Sequence, residues 1–203
     1  MLSSPEIAGR VVKKILCALW LRVTNNTTMD FKQVDALASQ EPPLPYLVIG
    51  GYAVAAHGYS RLTFDIDILI RRVDKEVWHE RCLNIGLRCV GQSNSFSQYD
   101  GTDKRLDLMF VDDQSFNKMN ADCITQDYDQ IHTKVVGLDH LIALKLHALK
   151  NAPEHRVSKD FNDIEMLAKH HGLQLKSEHY RGFFLKYGTD QIYETLLRCL
   201  KYD

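Results

Sequence analysis

Two aspartates set two residues apart are the feature of this 203-residue chain that first suggests chemistry. Asp65 and Asp67 stand in Thr63 to Ile70 (TFDIDILI). The alternation there predicts a strand with Phe64, Ile66, Ile68 and Ile70 on one face and Asp65, Asp67 and Leu69 on the other. The two carboxylates then leave the same face about 7 Å apart, by twice the rise per residue. Carboxylates held that close repel, and a shared proton or a cation relieves the repulsion. In a strand otherwise made of Phe and Ile, a divalent metal is the stronger explanation. Mg²⁺ prefers oxygen ligands and typically takes one or two carboxylates together with substrate phosphates. The bland alternative is the wet face of an edge strand, although aspartate is disfavoured in strands.

A glycine pair stands upstream. Tyr46 to Ile49 reads as a short buried strand, Gly50-Gly51 ends it, and Tyr52 to His57 reads as a helix closed by Gly58. A backbone without side chains can approach a phosphate closely, and the N–H groups at a helix start point at an anion. Glycine pairs occur in many turns, so the pair alone is weak. Strand, Gly-Gly, helix and then a strand with Asp-x-Asp is a stronger combination, a phosphate cradle beside a metal site.

The elements that would position these residues follow from periodicity. Residues 5 to 22 and about 30 to 39 read as helices, and Glu41-Pro42-Pro43-Leu44-Pro45 marks a boundary that cannot be helix interior. After the Asp-x-Asp strand come a helix over 74 to 86, a strand over 87 to 90 and a polar loop or hairpin tip over 91 to 104. Strands follow over 106 to 111 and 130 to 136, and helices over 138 to 150, 157 to 171, 177 to 187 and 189 to 200. The expected fold class is α+β: a small mixed sheet with flanking helices and a C-terminal helical segment. The expected divisions are 1–44, 45–137 and 138–203.

Composition excludes several classes. Twenty-five Lys and Arg against 26 Asp and Glu give a net charge of -1, which excludes a polycation that coats nucleic acid by bulk charge. No stretch approaches a membrane span, and the N-terminal run lacks the pattern of a signal peptide. The five cysteines are scattered without CxxC spacing and read as reduced thiols, so a cytoplasmic protein is expected. His140 and His147, seven apart, are poor metal spacing and read as surface or packing residues.

Gly50-Gly51, thirteen intervening residues and Asp65-Ile66-Asp67 resemble the signature of the nucleotidyltransferase superfamily that includes DNA polymerase β. Arg61-Leu62-Thr63-Phe64-Asp65-Ile66-Asp67 is similar to the Arg-x-Thr-x-Asp-hydrophobic-Asp run of the AbiEii-like minimal nucleotidyltransferases of toxin–antitoxin and abortive-infection systems. Ser60 stands where those proteins often have proline. The resemblance implies a third carboxylate from a later strand. Asp107, a lone acid in Leu106 to Val111, is the candidate, ahead of the loop residues Asp100, Asp103, Asp112 and Asp113. It also implies Mg²⁺ or Mn²⁺ held by Asp65, Asp67 and Asp107, with Asp107 as general base. Gly50, Gly51, Arg61, Thr63, Lys145 and Lys159 would lie on a nucleoside triphosphate. Lys145 and the run Lys159-Asp160-Phe161-Asn162-Asp163 resemble the group's C-terminal motifs, with Asp160 and Asp163 expected to hold Lys159.

The implied activity is transfer of a nucleoside monophosphate from an NTP to an acceptor hydroxyl, on a tRNA 3′ end or a protein, with a cognate antitoxin or toxin as partner. A small-molecule acceptor is a further possibility on the same fold. The competing class is a non-catalytic nucleotide- or partner-binding module. A structural RNA-binding protein ranks last, because residues 138–203 carry no net basic charge to speak of.

Overall fold

The computed structural model describes residues 29–101, 105–128, 130–151 and 154–200, with side chains for all of these except 151–157. The helix expected over 5 to 22, Cys17 and Asp103 lie outside the described residues. Seven strands of mixed direction and eight α-helices make the described residues α+β. They fall into two compact units, one of residues 29–46, 64–116 and 127–132, the other of 47–63, 117–126 and 133–200.

The first unit opens with α1 (Phe31–Ala38), which starts at a capping box: the Asp30 carboxylate accepts from Gln33 N–H, and the Gln33 side chain accepts from Asp30 N–H. The acidic strand is β2 (Asp65–Arg71). A short 3₁₀ turn and α3 (Lys75–Asn84) follow, then β3 (Arg88–Gln92), β4 (Phe96–Asp100) and β5 (Arg105–Val111). These strands lie in the order β3-β4-β5-β2. β2 and β5 run parallel, and the other two pairings are antiparallel. Ile66, Ile68 and Ile70 stand opposite Leu106, Leu108 and Phe110, and all six are buried. Burial of that one face fixes the register, because a slip by one residue would turn the apolar set outward.

Arg81 of α3 ties the proline segment down. Its side chain is buried and donates to the carbonyls of Leu37 at 2.8 Å, Gln40 at 3.3 Å and Pro42 at 2.6 Å. Burial holds its guanidinium below the usual arginine range, against the pull of Asp74 and Glu41. The carbonyls at the end of α1 and in the prolines, where a helix cannot continue, thus find a donor.

The second unit holds β1 (Leu47–Val48), which pairs in parallel with β7 (Ile131–Val135) through Val48 and Val135. Next comes α2 (Gly50–Ala56), whose first residue has φ +63°, a left-handed value that favours glycine. Gly58 ends it at φ +97°, as a C′ residue should. α4 (Asp113–Ala121) and β6 (Ile124–Tyr128), each with residues assigned to both units, precede β7. Four helices follow: α5 (Leu138–Asn151), α6 (Glu154–His170), α7 (Glu178–Tyr187) and α8 (Asp190–Cys199). α5 packs on α2, α6 and α7. Ser177 and Thr189 cap the last two helices by accepting from Tyr180 and Ile192 N–H. His57 Nε2 donates to Val136 O at 2.8 Å, and His171 Nε2 donates to His57 O at 2.8 Å. Burial and the neighbouring His171 hold the His57 imidazole below its usual range, although the bond to Val136 opposes them.

Three elements depart from the sequence reading. The stretch expected as a polar loop over 91 to 104 contains β4, in which Ser97 and Tyr99 are buried and Phe96 is exposed. Polar residues occupy both faces there, so hydropathy alternation gives no signal. Asp112 and Asp113 do not sit in a loop between strands but at the start of α4, where the Asp112 carboxylate accepts from Ser115 N–H at 2.8 Å. β6 has almost no buried residue and therefore no alternation to read. Among the described residues no helix is long and apolar enough to cross a membrane.

Candidate functional site

In the first unit the strand register brings two of the expected acids side by side. Asp67 on β2 is the in-register partner of Asp107 on β5, and both are half-buried. Neighbouring strands lie about 4.8 Å apart, and in-register side chains share a face. The opposite face is the Ile–Leu–Phe ladder described above, so the carboxylates are on the side away from that core. Gln98 on β4 donates to Asp107 Oδ2 at 3.0 Å.

Asp65 lies two residues before Asp67, beside Arg105. Arg105, Asp100 and Arg88 continue the row across β5, β4 and β3, with Arg105 Nε 3.8 Å and Arg88 Nη2 3.4 Å from the Asp100 carboxylate. The signs alternate along that row. Such exposed pairs stabilise by at most about 1 kcal/mol, so the row matters for the local field near Asp65 more than for folding. Asp100, expected in a loop, is the last residue of β4.

The donor set suits a hard divalent cation. Asp67 and Asp107 supply oxygen ligands only, and two adjacent carboxylates are the number such an ion usually takes from protein when phosphates complete its shell. Among the described residues, no three His, Cys, Asp or Glu side chains are gathered closely enough to hold an ion. The structure thus brings Asp67 and Asp107 together, with Asp65 next along the strand.

The second unit gathers the basic residues differently. Arg61 Nε and Nη2 fork onto the two oxygens of Asp163 at 2.7 and 2.9 Å. Lys145 Nζ lies 2.6 Å from Asp163 Oδ2 and 2.8 Å from Asp160 Oδ1. The side chains of Asp163, Lys145 and Arg61 are 0%, 7% and 15% exposed. Burial alone would raise the Asp163 carboxyl, but hydrogen bonds from Arg61 and the charge and hydrogen bond of Lys145 outweigh it and hold the group below the usual carboxylate range. Asp160 and Asp163 were expected on Lys159; they hold Lys145 instead, and Asp163 also holds Arg61. Lys159 is exposed. The reason is helical geometry: Lys159 is four residues from Asp163 on α6, but Asp163 points inward toward α5 and the 59–63 segment. The Arg61 partnership spans 102 residues of sequence, so no local pattern could reveal it.

Gly51 is part of the same cluster. A Cβ there would lie 2.5 Å from Thr63 Oγ1, 2.7 Å from Thr63 Cβ and 3.2 Å from Arg61 Nη1. The second glycine is thus required by the close approach of Thr63 and Arg61. Gly50 is required by its left-handed backbone.

Solved structures share this fold. The crystal structure of ANT(2'')-Ia in complex with adenylyl-2''-tobramycin superposes with a TM-score of 0.51 at 15% identity, covering 84% of this chain and 94% of the other. The solution structure of ANT(2'')-Ia, an antibiotic-resistance factor, gives a TM-score of 0.52 at 15% identity, covering 84% and 89%. No curated protein matches the sequence significantly. The fold is that of nucleotidyltransferases. More specifically, residues 36–201 match the family described as nucleotidyl transferase AbiEii toxin, type IV TA system, and the chain belongs to that family.

Proposed function

We propose that this member of the AbiEii nucleotidyltransferase family transfers a nucleoside monophosphate from an NTP to an acceptor hydroxyl on a tRNA 3′ end or on a protein. The observation that carries the reading is the in-register pairing of Asp67 with Asp107 on parallel neighbours. Like charges are placed side by side there, which costs stability unless a cation joins them. Asp65, Asp67 and Asp107 are assigned as ligands of Mg²⁺ or Mn²⁺. Bound there, the metal would supply Lewis-acid stabilisation of the charge developing on the α-phosphate and on the attacking and leaving oxygens. Asp107 is assigned the proton of the acceptor hydroxyl.

Gly50, Gly51 and Thr63 are assigned to the triphosphate, together with the cations Arg61, Lys145 and Lys159. Arg61 already gives Nε and Nη2 to Asp163, so its contribution is a positive charge held in a fixed place. Lys145 directs two of its three protons at Asp160 and Asp163, and the third is assigned to phosphate. A cognate antitoxin is the partner that the family implies.

The test is incubation with each α-labelled NTP, Mg²⁺ and total cell extract. Label entering RNA or protein supports the reading. Label entering only small molecules moves the acceptor to that class, the class seen in the adenylyl-tobramycin complex of ANT(2'')-Ia. No incorporation with any NTP, together with no Mg²⁺-dependent stabilisation by any NTP, points to a binding module.

A further inference from the structure

Asp67 and Asp107 belong to a longer row. Gly91 on β3, Gln98 on β4, Asp107 on β5 and Asp67 on β2 are successive in-register partners across the four strands of the first unit. Gln98 Nε2 donates to Asp107 Oδ2 at 3.0 Å. An ionised carboxylate only accepts, so the Gln98 amide must turn its NH₂ toward Asp107. Its Oε1 is then turned toward β3, where a Cβ on Gly91 would come within 2.9 Å of it. Gly91 is absent from the residues with left-handed backbone, and what its missing side chain provides is room for the end of the Gln98 side chain. The register shift between Cys89 and Gly91 is what sets this glycine opposite Gln98.

We propose that Gln98 is a positioning residue for nucleotidyl transfer: it fixes one oxygen of Asp107 so that the carboxylate is held beside Asp67, and Gly91 keeps the amide in that orientation. The inference rests on the transfer reading above. A hydrogen bond to one oxygen restricts the side-chain rotamers a strand carboxylate can adopt, which favours a defined ligand geometry. Groups that hold a ligand from behind in this way typically contribute about 10- to 100-fold to metal affinity or activity. Gln98 is uncharged, so its hydrogen bond to Asp107 adds no positive charge beside the carboxylate.

The test uses the full chain. Gln98→Met keeps the length of the side chain and removes the donor, and Gly91→Ala crowds the amide without touching Asp107. Mn²⁺ is titrated alone and with ATP while free Mn²⁺ is followed by electron paramagnetic resonance. Transfer of label from α-labelled NTP into cell extract is measured in parallel, with thermal unfolding as a control for folding. Gln98→Met is expected to weaken Mn²⁺ binding about 10- to 100-fold and to slow transfer by a similar factor. The half-saturating NTP concentration is expected to stay within about twofold, which a general loss of structure would not leave intact. Gly91→Ala should shift both readouts in the same direction by less, and the double variant should be no worse than Gln98→Met. Should Gln98→Met fail to fold, Gly91→Ala supplies the answer alone. Wild-type protein that binds Mn²⁺ and transfers label, with both variants indistinguishable from it, overturns the role of Gln98 and leaves the transfer reading standing. Fully additive effects in the double variant overturn the coupling of Gly91 to Gln98. Wild-type protein that neither binds Mn²⁺ nor transfers label overturns both.

Discussion

Asp67 and Asp107 stand beside each other on neighbouring strands, half-buried, like charge against like charge, with the neutral Gln98 amide as a hydrogen-bond donor. Asp163 is also an acid in a sheltered place, but it is fully buried and held by two cations, Arg61 and Lys145, the second of which also meets Asp160. Two positive and two negative charges meet in that network. Carboxylate meets carboxylate across neighbouring strands in the first case, and carboxylate meets cation in the second. A buried acid that holds helices together needs its counter-charges, because an uncompensated buried charge destabilises by several kcal/mol.

Substitutions can break this contrast from either side. The largest expected effect is on chemistry: Asp107→Asn should slow transfer of label about 10²- to 10⁴-fold. Its unfolding free energy in urea should stay within about 0.5 kcal/mol of wild type, because relief of like-charge repulsion offsets what is lost. A large loss of stability would mean that the acidic row is a folding element after all. Asp163→Asn should do the reverse in urea, destabilising by about 3–5 kcal/mol because Arg61 and Lys145 lose their counter-charge. A loss below about 1 kcal/mol would show that the counter-charges matter less than the geometry indicates.

The pH dependence sharpens the same comparison. Asp163 is held below the usual carboxylate range, so its contribution to stability is fully present above about pH 4 and fades as pH falls through the lowered folded value. The stability gap between wild type and Asp163→Asn, measured by urea unfolding at stepped pH, should therefore narrow in acid. His57 acts in a higher window with the same sign. Its folded state favours the neutral ring, so stability should decline as pH drops below about 6.5, and His57→Gln should flatten that decline. The smallest effect is expected at Lys159, which is exposed. Lys159→Ala should leave stability within about 0.5 kcal/mol and raise the half-saturating NTP concentration by about fivefold, the worth of roughly 1 kcal/mol for an exposed charge.

The acidic strand was legible because strand alternation is local: period two puts Asp65 and Asp67 on one face and Ile66, Ile68 and Ile70 on the other. The glycine stop at Gly58 and the C-terminal helices were legible for the same reason. β4 was not, because its buried Ser97 and exposed Phe96 invert the usual polarity, and with β4 went the signal for Gln98. α4 did leave a trace in Asp112-x-x-Ser115, a cap followed by the buried Phe116, which a search for helix starts could have found. The partners of Asp163 were beyond reach in a different sense. A helix places Lys159 within range of Asp163, so the local reading chose it, and only packing against α5 and the 59–63 segment hands the carboxylate to Lys145 and Arg61.

Arg81 carries a consequence for redesign. Its guanidinium spreads its donors over carbonyls of Leu37, Gln40 and Pro42, three points along a segment that turns out of a helix into prolines. A lysine would bring the same charge on a single nitrogen, unable to reach all three at once. The interchange of basic residues that surfaces commonly tolerate would there take donors from these carbonyls, the buried Leu37 carbonyl among them. Any shuffling of this N-terminal segment between related chains must therefore carry the arginine with it, as though the two stretches, distant in sequence, were one piece.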